Sequence, residues 1–208
     1  MSPLERAVEI MDRLRSPGGC AWDAEQTHES LARYLLEEAY EVIEAIETGD
    51  RELLREELGD LLLQVLFHAR IAEEEPEPYS IEDVAADLAD KLVRRHPHVF
   101  ADGERTDAAT LNETWERQKI VEKGRTSAVD GVPLAQPALA LAAKLVSRAN
   151  RAGLSVTRDA SDEIGARLFA VVQDAVAAGV DPESALRRTA RAYRDAVVAA
   201  EPAVIRET

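Results

Sequence analysis

Six acidic residues, Glu37, Glu38, Glu41, Glu44, Glu47 and Asp50, lie between positions 35 and 50, with no lysine or arginine among them. An exposed helix face usually mixes signs, because opposite charges at i and i+4 stabilise it. Here the repulsion stays uncompensated unless a cation arrives. A second segment, residues 58–72, is apolar nearly all round and reads as a central bundle helix, yet Glu57, Asp60, Gln64 and His68 recur along it at i, i+3, i+7 and i+11. That spacing puts them on one narrow stripe. Carboxylates on a packed face cost several kcal/mol each unless paired or bound to metal, and no Lys or Arg shares the stripe.

Glu38 and Glu41 are one turn apart, as are Glu57 and Asp60, so two antiparallel helices can aim four carboxylates into one pocket. Hard oxygen donors in that number suit Mg²⁺, with Mn²⁺ as a possible substitute, better than Zn²⁺. A solvated acidic face explains the first of these helices taken alone, but not the second. A di-iron carboxylate bundle would need Glu-x-x-His pairs, and the positions three beyond Glu37, Glu38, Glu41 and Glu57 hold Tyr40, Glu41, Glu44 and Asp60. Lys91, Arg94 and Arg95 cluster at i, i+3 and i+4. They suit the remaining oxygens of a polyphosphate, or equally the negative end of a helix. Gly59, between two acids, fits either a close helix approach or a tolerated glycine. His28, His96 and His98 read as capping, packing or solvent-facing groups, and Trp22 and Trp115 as core.

The elements that must position these residues are helices. Aromatic residues make up 4% of the chain, and apolar residues recur at helical spacing almost throughout, which predicts an all-α antiparallel bundle. A first helix over residues 3–15 ends at Ser16-Pro17-Gly18-Gly19, and a loop holds Trp22 and Asp23. The second covers about 27–48 and stops at Gly49 and Asp50; the third covers about 51–74 and stops before Pro76 and Pro78. Ser80 and Asp83 form a capping box that opens a fourth helix, ended by Pro97. A polar stretch follows, then a short helix around Trp115 and a Gly- and Pro-containing linker.

Beyond the linker, Glu163-Ile164-Gly165-Ala166-Arg167-Leu168-Phe169 echoes Glu57-Leu58-Gly59-Asp60-Leu61-Leu62-Leu63, with Ala166 where the first copy has Asp60. Asp181 and Pro182 start another helix, expected to reach about Ala200. In the same alignment Lys91, Arg94 and Arg95 become Ala192, Asp195 and Ala196, and no acid-rich helix precedes the echo. The second segment therefore reads as a shortened, degenerate copy. Too few helices remain there to close a core, and the Ala-rich face over 138–149 would stay exposed, so a homodimer or higher oligomer is expected.

Composition excludes other classes. A formal net charge of −15 opposes binding to nucleic acid. No stretch approaches the ~18 apolar residues of a membrane span. Cys20 has no partner for an internal disulfide, and the first residues lack the pattern of a signal peptide, which suggests the cytoplasm.

Leu36-Glu37-Glu38-Ala39-Tyr40-Glu41 and Glu57-Leu58-Gly59-Asp60 resemble the Glu-Glu-x-x-Glu and Glu-x-x-Asp motifs of MazG nucleotide pyrophosphohydrolases. Residues 22–27, 91–100 and 115–119 resemble further segments of that family, in the same order. The resemblance implies a catalytic domain over 1–125, a linker over 126–133 and a degenerate second segment over 134–208. It also implies Mg²⁺-dependent hydrolysis of (deoxy)nucleoside triphosphates to a monophosphate and pyrophosphate, as in house-cleaning of the nucleotide pool. Glu38, Glu41, Glu57 and Asp60 would ligate the metal, and Glu37 would support them or position water. Lys91, Arg94, Arg95, Trp22, Trp115 and Lys119 would bind substrate. Two alternatives stay open: a relative of narrower specificity, for dCTP, dUTP or phosphoribosyl-ATP, and a non-catalytic module that binds a divalent ion or a partner.

Overall fold

Local capping sets where the helices begin. In the computed structural model, which describes residues 1–101, 124, 126–157, 161 and 163–201, the chain divides into two compact units, Met1–Thr106 and Asp107–Thr208. In the first unit α1 spans Pro3–Arg15. The Ser2 hydroxyl accepts from the Glu5 amide at 3.1 Å, and the Glu5 carboxylate accepts from the Ser2 amide at 2.6 Å. This reciprocal box satisfies two donors that the first turn leaves orphaned. A side chain at Gly19 would collide with the carbonyl oxygens of Arg13 and Leu14, so the tight turn after α1 requires glycine.

Where the sequence suggests a loop around Trp22 and Asp23, the chain forms a short helix, α2, over Ala21–Glu25. Helix α3 covers His28–Thr48, with Thr27 and Ser30 as its capping box, and ends at Gly49 in the left-handed conformation, φ 74°. One residue later the Asp50 carboxylate accepts from the Glu52 and Leu53 amides and starts α4, Arg51–Ala72. So short a connection makes α3 and α4 antiparallel neighbours, and their pairing is the most extensive in the unit. Helix α5 covers Ile81–Arg95, opened by Ser80 and Asp83 as the sequence predicts. Pro97 then starts one further turn, α6, over Pro97–Phe100.

Met11, Leu31, Leu66, Phe67 and Ile71 form the core, flanked by Ala7, Val8, Tyr34 and Ile81. The central-helix expectation for α4 holds on one side only. Leu58, Leu62 and Val65, at i, i+4 and i+7, are 51%, 39% and 40% exposed in the single chain. Gly59 is open too: among the described residues an added Cβ would meet nothing within 4 Å, so no close helix approach among them explains it.

Arg15 holds the other end of the unit. Its guanidinium donates two 3.0 Å bonds to the Glu74 carboxylate and bonds of 2.6 and 3.0 Å to the carbonyls of Asp23 and Gln26. The same group lies 6.0 Å from the centre of the Phe67 ring. Arg70 extends the network to Asp12 at 2.8 Å and Glu74 at 2.9 Å. One side chain thus ties α1, α2, the start of α3 and the end of α4.

In the second unit α7 covers Ala138–Arg151, α8 Ile164–Ala177 and α9 Pro182–Ala200, the last capped by Asp181. Val132, Val146 and Val172 are buried there. The Ala-rich face of α7, expected to be exposed, is largely half-buried in the unit: Ala140, Ala142, Ala143 and Ala149 are all partly covered. Exposed apolar residues lie instead on α8, at Ile164, Leu168 and Val171. Glu163, which echoes Glu57, precedes the first turn of α8 instead of lying inside a helix.

Arg15→Lys should destabilise the protein nearly as much as Arg15→Met, by about 2–3 kcal/mol in denaturant unfolding. An ammonium cannot serve a carboxylate at two points and two carbonyls at once. The Arg15 hydrogen bond, with the Arg15 and Arg70 charges, holds the Glu74 carboxyl below the usual range. Its contribution is therefore present above the ordinary glutamate pKa and lost as pH falls through the lowered value, a loss that Arg15→Met should reduce to the part that Arg70 supplies.

Candidate functional site

The antiparallel pairing of α3 and α4 brings Glu38, Glu41 and Glu57 together. Each offers a carboxylate oxygen, and the three oxygens lie within 4.8 Å of one another. Glu57 is 9% exposed, Glu38 is half-buried and Glu41 faces solvent. Among the described residues no lysine or arginine forms an ion pair with any of the three.

Two carboxyl groups record the crowding. Burial first, then a hydrogen bond with Glu41 and the charges of Asp60, Glu41 and Glu57, push the Glu38 pKa up. Burial, the charges of Glu41, Asp60 and Glu56, and a hydrogen bond with Glu41 push Glu57 up. Like charges held close favour the protonated form, and a cation among them reverses that preference. The donor set fits a hard divalent cation. Ligand oxygens about 2.0–2.1 Å from Mg²⁺ stand on the order of 3–4 Å apart, close to what these three already offer.

Asp60 is half-buried one turn beyond Glu57. Its charge acts on both Glu38 and Glu57, although its oxygens are not part of the group of three. Glu37 is exposed and also stands outside that group. Lys91, half-buried, and Arg94, exposed, line an open groove on α5 with Val84, Asp87, Leu88 and Asp90. Arg95 is half-buried beside them in sequence. Trp22 is 50% exposed, its ring edge-on to Tyr34 at 6.0 Å and to Phe67 at 6.3 Å. Trp115 and Lys119 lie outside the described residues.

The sequence reading missed a histidine pair. His28, at the start of α3, stacks on His68 of α4 with ring centres 4.9 Å apart and planes 7° from parallel, and their Nδ1 atoms are 2.6 Å apart. Running the two helices back from the turn at Gly49 would have found it, since the register that sets Glu41 against Glu57 also sets the start of α3 against His68. His96 and His98 are near each other at the end of α5, where His96 Nδ1 contacts the Leu92 carbonyl at 2.6 Å. Among the described residues no helix is long and apolar enough to cross a membrane.

Known proteins resemble this chain in sequence. Residues 26–100 match the MazG nucleotide pyrophosphohydrolase domain. An uncharacterised 26.1 kDa protein of Streptomyces cacaoi is 55% identical over 197 residues, which cover 93% of this chain and 81% of that protein. The nucleoside triphosphate pyrophosphohydrolase/pyrophosphatase MazG of Thermotoga maritima is 41% identical over 213 residues, covering 91% and 82%. The nucleoside triphosphate pyrophosphohydrolase of Mycobacterium tuberculosis is 47% identical over 199 residues, but these make up only 58% of its length.

Burial and crowding give Glu38 and Glu57 a contribution to the pH response of the metal-free protein. The raised Glu38 and Glu57 values mean that the folded state holds more protons just above the ordinary glutamate pKa, so stability should fall as pH rises through that window. Asp60→Asn removes a charge that raises both groups, so melts without divalent ions at about pH 5 and about pH 8 should show a smaller loss than wild type. A variant that melts below wild type by several degrees at the higher pH would mean that Asp60 repels neither group.

Proposed function

This chain belongs to the MazG nucleotide pyrophosphohydrolase family, and from that premise we propose that it hydrolyses (deoxy)nucleoside triphosphates between the α and β phosphates. The products are a nucleoside monophosphate and pyrophosphate. Glu38, Glu41 and Glu57, with Asp60 beside them, hold Mg²⁺, for which Mn²⁺ can substitute. The convergence of these carboxylates without a cationic partner among the described residues is the observation that carries the reading.

When bound, the cation neutralises phosphate charge and makes a water more acidic. The protein's own groups do the rest. Ionised Glu38, Glu41 and Glu57 present oxygens to the cation. Glu37, next to Glu38 and exposed, supports them or positions the attacking water. Lys91, Arg94 and Arg95 hold phosphate oxygens with charge-assisted bonds. Trp22, Trp115 and Lys119 complete substrate binding. The chemistry is assigned to residues 1–125, with 126–133 as a linker and 134–208 as a degenerate second copy that lacks the acids. The protein acts in the cytoplasm on the nucleotide pool.

A second copy of the chain is proposed to cover the open flank of α4. Leu58, Leu62 and Val65 form a helical stripe, and exposed Leu36 and Tyr40 form another on α3. Together they suit an isologous helix-on-helix contact.

A panel of nucleoside triphosphates with Mg²⁺, read by pyrophosphate release, tests the activity, and silence with every nucleotide would leave only a non-catalytic ion- or partner-binding module. Asp60→Asn should lower turnover by roughly 10²-fold or more and should lose most of the thermal stabilisation that Mg²⁺ confers on wild type. Glu163→Gln should leave turnover unchanged; its loss in a folded variant would move the active site to the second copy. Sedimentation at micromolar concentration should give a dimer or larger species, and a monomer would refute the covered flank.

A further inference from the structure

Helix α2 has little of its own to keep it folded. It is five residues long, buries no side chain and has no side-chain cap at its start, and so short a helix is unfavourable by itself. Yet it carries Trp22, which keeps 50% of its surface exposed while its ring meets Tyr34 at 6.0 Å and Phe67 at 6.3 Å, both edge-on. Tyr34 shares a face of α3 with Glu38 and Glu41, at i, i+4 and i+7, and Phe67 shares a face of α4 with Asp60. Trp22 therefore stands at the end of the helix seam that holds the carboxylates, and Tyr34 is one turn, about 6 Å, from Glu38 along α3.

Arg15 holds α2 in place. Its Nε and Nη2 donate to the Glu74 carboxylate, which aims Nη1 at the Asp23 and Gln26 carbonyls, 2.6 and 3.0 Å away at the end of α2. Gln26 continues the path: its side-chain amide donates to the Trp22 carbonyl at 2.9 Å and accepts from the Ser30 hydroxyl at 2.8 Å. The guanidinium also lies 6.0 Å from the centre of the Phe67 ring, the ring against which Trp22 rests. Arg15 thus fixes Trp22 both by its backbone and through the neighbouring ring. The Arg15 side chain is only 6% exposed, so it does not reach a ligand itself.

We propose, on the reading of this chain as a triphosphate pyrophosphohydrolase with Trp22 in contact with substrate, that Arg15 is a positioning residue for the nucleobase. It fixes the angle at which Trp22 offers its open face to the base. An aromatic face contributes most to binding when it is already in place, because a platform free to swing loses affinity when the ligand must order it. Arg15 removes that loss before substrate arrives.

The test is a double-mutant cycle read in KM, with the nucleotide that the triphosphate panel turns over fastest. Trp22→Ala should raise KM by on the order of 10-fold with kcat little changed, since stacking binds substrate and transition state alike. Arg15→Met should raise KM several-fold, again with little change in kcat. The double variant should match Trp22→Ala instead of multiplying the two effects, because Arg15 acts through a ring that is no longer there. A merely structural Arg15 gives a different result: loss of folded protein lowers the active fraction, and with it the apparent kcat, but leaves KM where it was. A wild-type KM in folded Arg15→Met, or effects that multiply in the double variant, would overturn the inference. An unchanged KM in Trp22→Ala would overturn it as well, by removing Trp22 from the substrate site. If Arg15→Met does not fold, Glu74→Ala, which keeps the guanidinium but not the carboxylate that aims it, should raise KM by a smaller factor, and an unchanged value overturns the inference. If wild type hydrolyses no nucleotide, the pyrophosphohydrolase reading fails by itself. The same cycle is then read in the Kd of dATP with Ca²⁺ by calorimetry, where multiplying effects or no binding overturn the inference.

Discussion

The first unit depends on the register of α3 against α4. Gly49 ends one helix in a conformation that other residues reach only with strain, and Asp50 caps the next, so the two helices leave the turn with almost no freedom to slide. An α-helix turns about 100° per residue, so one inserted residue would swing Glu57 away from Glu38 and Glu41. The same register sets Leu31 against Leu66 and Phe67 in the core and His28 against His68. Packing and site are one geometric fact.

That geometry works against itself electrostatically. Carboxylates from two helices converge, and burial first, then their mutual repulsion, raises two of their pKa values. The opposing forces act farther along the same helices, in the apolar cluster around Phe67 and in the ion pairs of Arg15 and Arg70 with Glu74 and Asp12. Repulsion at one end of a helix pair is tolerated because attraction is concentrated at the other. A protein that binds a cation between carboxylates needs this division, since a site satisfied by its own lysines would have nothing to offer an ion.

Much of this was legible in the residues. Ser2, Thr27, Asp50, Ser80 and Asp181 are capping residues, and each starts a helix within a residue or so of where periodicity suggests. The acidic spacing likewise announced that Glu38, Glu41 and Glu57 share a face. Two short helices went unread, α2 because five residues carry no periodicity and α6 because Pro97 reads as a stop when it is also a start. The His28–His68 stack was missed because it depends on register across two helices and not on spacing within one. The open flank of α4 differs from the interior expected because hydropathy records that a side chain avoids water, not whether the folded chain covers it. Asp60 stands apart from the group of three, a difference of side-chain reach that spacing does not contain.

The two-residue link between α3 and α4 also bears on how the chain folds. Closing so short a loop costs little chain entropy, so this helical hairpin can form early and from local contacts. The pairs of Arg15 with Glu74 and Arg70 with Asp12 join residues 59 and 58 positions apart, so they wait for a more expensive closure. Carboxylate crowding therefore arises before the network that offsets it is in place. The nascent hairpin passes through a stage in which its charges repel and little restrains them, and the barrier to folding should carry the mark of ionic strength more strongly than the finished fold does.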